Sequence, residues 1–187
     1  MNGRVCDVLN WRESVPFAAA FALLLAPGLR LSASSGASEW RVCVHNLAEL
    51  NAPTLAALNV EASGLLHGRR VSFEQGPCVA RSGGLIHLIV RSQAPAGGQD
   101  VLGRAPLRQG SVLPVLEVFV EPLLSFIGQV ESSKLIGRAL ARIVAHEVTH
   151  FIDQDVTHGG RGLMQASFSG WDLITDDSHR FRRLQAR

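Results

Sequence analysis

The pentapeptide His146-Glu147-Val148-Thr149-His150 sets two imidazoles four residues apart, with a carboxylate next to the first. On an α-helix of 3.6 residues per turn, positions four apart lie one turn above each other, so both imidazoles can face a single metal ion. Glu147 lies roughly 100° around the axis from His146, within reach of a water at that metal without being a ligand. This combination suits zinc-assisted hydrolysis. The ion lowers the pKa of its bound water toward about 7 and polarises a scissile carbonyl, while Glu147 accepts the proton and passes it to the leaving amine. A catalytic zinc needs three protein ligands and one open position, so the chain must supply one more.

No glutamate follows Glu147, and the chain contains no tyrosine. The downstream ligand candidates are His158, His179, Asp153, Asp155, Asp172, Asp176 and Asp177. His158 is favoured: it comes eight residues after His150, a connection that can leave the helix and turn back over the site. Gly159, Gly160 and Gly162 permit tight turns before Met164. Without tyrosine, any further oxyanion donor would be Arg161, His179 or backbone N–H groups. His179 is also a candidate to support a ligand from behind. His45, His67 and His87 show no ligand spacing and read as surface or strand histidines.

These side chains need a scaffold. Leu135, Ile136, Ala139, Leu140, Ile143 and Val144 form one apolar side of a helix from about Ser133 to Ile152, capped by Ser132 or Ser133, with the histidine motif in its last two turns. A second amphipathic helix spans Ala52 to His67, with Pro53 near its start and Gly68 just past its end. Trp40 to His45 alternates as a strand, with Arg41, Cys43 and His45 on one side and Trp40, Val42 and Val44 on the other. Val71 to Glu74, Leu85 to Val90 and Val115 to Val120 read as further strands, and Val101 to Ala105 as an edge strand after a loop over Ala94 to Gln99. An extended peptide can add to such an edge. The basic end, Arg180 to Arg187, reads as the solvated face of a terminal helix.

The order HExxH, a third His and a following Met resembles the metzincins. Carried over by position, the resemblance makes His146, His150 and His158 zinc ligands, Glu147 the general base and Met164 the residue of a turn that floors the imidazoles. The usual metzincin spacing would place Gly at position 153 and the third His at 156, where this chain has Asp153 and Val156. A closer resemblance is to small exported bacterial proteins with Gly-Arg-Ala before the motif, a third His at the longer spacing and Gly-Leu/Ile-Met after it. Here those pieces are Gly137-Arg138-Ala139, His146-Glu147, His150, His158 and Gly162-Leu163-Met164. Thr149 and Gln154 stand where such relatives often carry Gly. The resemblance implies an α+β, zincin-like fold: a mixed twisted β-sheet packed on two long helices, a short C-terminal helical segment, and the metal under the sheet's edge. The closer resemblance supplies no substrate; a peptide or protein is the substrate expected of the hydrolysis.

Composition bounds the rest. A chain of 187 residues, 47% apolar and 18% charged, suffices for one core, and a net charge of +2 without a basic stripe gives no reason to expect a nucleic-acid partner. Arg4 and Arg12 precede an apolar run from Val15 to Leu29, followed by small residues to Ser38. That is the order of a signal peptide over 1–38, cut after Ala33 or Ala37, and the run is too short for a stable membrane anchor. The expected protein is therefore exported, secreted or periplasmic, with a single domain over 39–187. Cleavage removes Cys6 and leaves Cys43 and Cys78, a possible disulfide in an oxidising compartment. The expected function is zinc-dependent peptide hydrolysis; the rival expectation is a noncatalytic exported domain that keeps zinc, or only the fold, to bind a partner.

Overall fold

The computed structural model describes residues 3–4, 39–78, 83–98, 100–128 and 130–181. β1 (Gly3–Arg4) pairs antiparallel with β9 (Ser167–Phe168). The rest of the segment read as an export signal, and the basic end after Phe181, lie outside the described residues. Among the described residues no helix is long and apolar enough to cross a membrane.

The fold is mixed α+β. β2 (Trp40–Asn46), β3 (Val71–Gln75), β4 (Gly84–Arg91), β5 (Gly103–Arg104) and β8 (Val115–Phe119) form a five-stranded sheet in the order β3-β2-β4-β8-β5. Every junction is parallel except the last, where β5 runs antiparallel along β8. Alternation in β2, β4 and β8 sends Val42, Val44, Ile86, Leu88, Val90, Leu116 and Val118 into the core. The opposite face receives Arg41, Cys43, His45, His87, Glu117 and Arg104, where Arg91 donates to Glu117 at 2.7 Å and Arg104 also pairs with Glu117.

Two long helices, α1 (Ala52–Leu65) and α3 (Ser133–Asp153), complete the core. Asn51 caps α1 by accepting from Thr54 N at 2.9 Å, and Pro53 occupies its first turn. Ser132 is the N-cap of α3 but makes no side-chain capping bond. The helices meet closely at Gly137, where a Cβ would lie 2.5 Å from Thr54 O and 2.6 Å from Ala57 Cβ. Gly137→Ala is therefore expected to lower stability by about 1–3 kcal/mol in urea unfolding, as overpacking does.

The arginines after Gly137 fasten the C-terminal segment. Arg138 donates to Ile174 O at 2.8 Å and pairs with Asp176. Fully buried Arg142 donates to Asp172 O, Thr175 O and Glu61, with Phe181 stacked on its guanidinium at 4.3 Å. The segment they hold contains α4 (Gly170–Ile174), with a capping box between Ser169 and Asp172, and a short 3-10 turn over Ser178–Phe181.

Two expected strands need correction, and two elements were not expected. The strand read over Val101 to Ala105 is regular only at Gly103–Arg104. The strand read to Val120 stops at Phe119, because Val120 opens a helix, α2 (Val120–Ile127), that periodicity did not reveal. Pro122 looks like a breaker there, yet it falls in the first turn, where its missing N–H has no helical partner to lose. A small hairpin of β6 (Leu107–Arg108) and β7 (Ser111–Val112) also went unread.

Candidate metal centre

The end of α3 carries the histidine motif into the interior: His146 and Glu147 are fully buried and His150 is 1% exposed. The helix ends at Asp153, and Gln154 takes the left-handed conformation (φ 49°) that a glycine would adopt without strain. Its side chain accepts from Val112 N at 3.0 Å and donates to Val112 O at 3.1 Å, tying the helix exit to the β6–β7 hairpin. Asp153, at the position where the resemblance leads one to expect Gly, pairs with both terminal nitrogens of Arg69, Nη2 at 2.9 Å. The chain then turns back and delivers His158 to the motif.

The three imidazoles converge. Their Nε2 atoms form a triangle with sides of 2.9 Å (His146 to His150), 3.2 Å (His150 to His158) and 3.3 Å (His146 to His158). Two nitrogens bound tetrahedrally at about 2.0–2.1 Å to one zinc stand about 3.3 Å apart, so the triangle has the right size for a metal.

Backbone carbonyls fix the ring protons of two of the three imidazoles. His146 Nδ1 lies 2.7 Å from Leu163 O, and His150 Nδ1 lies 2.5 Å from Asp155 O. A carbonyl oxygen only accepts, so each of these imidazoles carries its proton on Nδ1 and points a bare lone pair from Nε2 into the triangle. Two lone pairs at 2.9 Å repel unless a cation lies between them. Carbonyl-oriented histidines of this kind are the usual outer support of a metal site.

Electrostatics keep the site deprotonated. Burial first, then the neighbouring His150 and His158 charges, hold His146 at about 3 against an ordinary 6.5. Burial likewise lowers His150 and His158, although carbonyl or carboxylate groups of Asp155 oppose it in both. In the metal-free protein a histidine with a depressed folded pKa takes up its proton more readily when unfolded. Its contribution to stability is whole above pH 6.5 and is lost as pH falls toward about 3. Metal-free protein should thus lose thermal stability across that window, and His146→Gln should flatten the slope in a pH series of melting curves.

Among the described residues, none of the other candidates joins the three imidazoles. Asp155 accepts from Thr157 N at 2.9 Å, Asp172 caps α4 and Asp176 pairs with Arg138. Asp177 donates its backbone N–H to Thr175 Oγ1, Arg161 is exposed, and His179 lies outside the described side chains. Met164 is half-buried against the core, and its carbonyl accepts from Gly159 N at 2.7 Å, closing the turn whose Leu163 orients His146.

Glu147 faces the sheet's edge. A Cβ on Gly103 would lie 3.2 Å from Glu147 Oε1 and 2.5 Å from Ile143, so only glycine lets β5 pass this close to the carboxylate. Sequence patterns missed the two orienting carbonyls, Phe168, whose ring meets His146 edge-on at 5.8 Å, and Gly103. A glycine between Leu102 and Arg104 was the one available signal, as a mark of close backbone approach.

Cys43 and Cys78 are joined by a disulfide with Cα atoms 5.9 Å apart. No family model, curated protein or solved structure matches the chain.

Proposed function

We propose that this protein is an exported zinc-dependent peptidase of zincin-like fold, with His146, His150 and His158 as metal ligands, Glu147 as general base and Met164 in the turn beneath the imidazoles. The observation that carries this reading is the convergence of three Nε2 atoms at metal-ligand spacing, two of them deprotonated by their carbonyl partners. Zinc fits this all-nitrogen set and, when bound, supplies Lewis acidity toward water and a scissile carbonyl.

The chain's own residues do the rest. Leu163 O and Asp155 O fix the imidazole tautomers, and the partial exposure of His158 leaves that side of the triangle reachable from solvent. Glu147, desolvated beside Gly103, accepts a proton from the attacking water and returns it to the leaving amine. The antiparallel edge strand Gly103–Arg104 gives an extended peptide a backbone to lie along, bringing its carbonyl past Glu147. The disulfide favours an oxidising compartment.

Cleavage of a mixed peptide library by zinc-loaded protein tests the reading. The expected result is a set of cut sites lost on chelation and restored by zinc. Retained zinc with no cut peptide would leave a noncatalytic zinc-binding domain as the better description.

A further inference from the structure

The sheet face turned away from the helices holds a second cluster. His45 and His87, on neighbouring parallel strands, place His45 Nε2 3.0 Å from His87 Nδ1, with rings 23° from parallel and centroids 5.2 Å apart. Cys43 is the register partner of His87 and lies two positions before His45, so all three side chains emerge on this face. Its sulfur and the two imidazoles present ligand atoms within 4.8 Å of one another. One thiolate and two imidazoles form a donor set for zinc and similar borderline divalent cations. In the structure the sulfur is bonded to Cys78.

We propose that the Cys43–Cys78 disulfide masks a second metal site, and that its reduction frees the Cys43 thiolate to join His45 and His87 around a divalent cation of the zinc type. Cys43 is completely buried, whereas Cys78 is partly exposed on the segment that covers it. A dithiol reductant therefore attacks the Cys78 sulfur. The S–S bond breaks, the electron pair leaves on Cys43 as thiolate, and a mixed disulfide forms at Cys78. The reductant's second thiolate then attacks its own bound sulfur and expels Cys78 as a thiolate, which takes up a proton. The dithiol loses two electrons in becoming a disulfide, and its other proton goes to solvent. The released Cys43 sulfur is already in the ionised form a metal takes. The 3.0 Å nitrogen spacing of the histidine pair is close to the roughly 3.3 Å expected for two nitrogens on one tetrahedral ion.

The site does not depend on the triad, and cobalt(II) can tell them apart. Only a thiolate site gives sulfur-to-cobalt charge-transfer absorption in the near ultraviolet; the triad contains no sulfur. Oxidised protein should bind cobalt without that band. Protein reduced with a phosphine and freed of it under anaerobic conditions should bind one further equivalent with the band, and so should Cys78→Ser without any reductant. Adding His45→Ala and His87→Ala to Cys78→Ser should weaken that equivalent by more than the roughly 10–100-fold cost of losing an outer-shell partner. Absence of the band in folded Cys78→Ser, or its persistence in the histidine double variant, overturns the proposal. Loss of the far-ultraviolet dichroism signal in both reduced protein and Cys78→Ser also overturns it, since a bond required for folding cannot act as a switch.

Discussion

Glu147→Gln should lower peptide cleavage on the order of 10²–10⁴-fold, the range contributed by a positioned general base, while zinc binding stays within a few-fold of the unmodified protein. Glutamine keeps the shape of the side chain beside Gly103 and Ile143 but cannot accept the water's proton. Glu147 is completely buried and glutamine fills the same space, so the variant should fold with stability close to the parent's. Rates measured with one cut peptide, alongside zinc content and melting temperature, check all three expectations. Equal cleavage by both proteins would remove Glu147 from the chemistry, whatever the metal does.

His150→Ala should have the second large effect. It deletes one corner of the nitrogen triangle and leaves Asp155 O without its imidazole donor. Zinc affinity should fall by more than the roughly 10–100-fold attached to outer-shell partners, because a ligand itself is lost. A protein with zinc at about 1,000 times its dissociation constant gains about 4 kcal/mol of apparent stability. At the same zinc concentration the variant should gain almost none in calorimetry. Metal-free His150→Ala is expected to differ less from its parent, since the lost carbonyl partner, about 1–3 kcal/mol, is offset by removing one of the opposed lone pairs.

The long elements were legible in the sequence because each buries one face. Leu135 to Val144 and Leu55 to Leu66 keep helical spacing, and Val42, Val44, Ile86 and Leu88 keep strand alternation. α2 was hidden because its first turn contains Pro122 and its residues follow a strand without a break, so an apolar run changes period in mid-course. The motif pointed to His146 and His150, and the glycine-rich return pointed to His158. Their orientation was illegible for a different reason: Leu163 and Asp155 contribute backbone carbonyls, which every residue type owns. Spacing gives no sign of the His45–His87 pair, since a cross-strand pair depends on the register of β2 against β4, and no local pattern encodes that register.

The residues at the helix exit that depart from the expected metzincin-type spacing have structural counterparts. Asp153 is held by Arg69, and Gln154 accepts a left-handed backbone while its amide clamps Val112. Both fix the helix exit from which the longer connection to His158 starts. Thr149 turns its hydroxyl back to Ala145 O at 2.8 Å and so satisfies it within the helix.

One ion is expected among His146, His150 and His158, and zinc content reads it out. The disulfide-bonded protein should be equilibrated with zinc, passed over a weak chelator and assayed beside a variant with all three histidines changed to Ala. One zinc should be retained per chain in the parent and none in the triple variant. A zinc-free parent, or a triple variant that retains as much zinc as the parent, would contradict it.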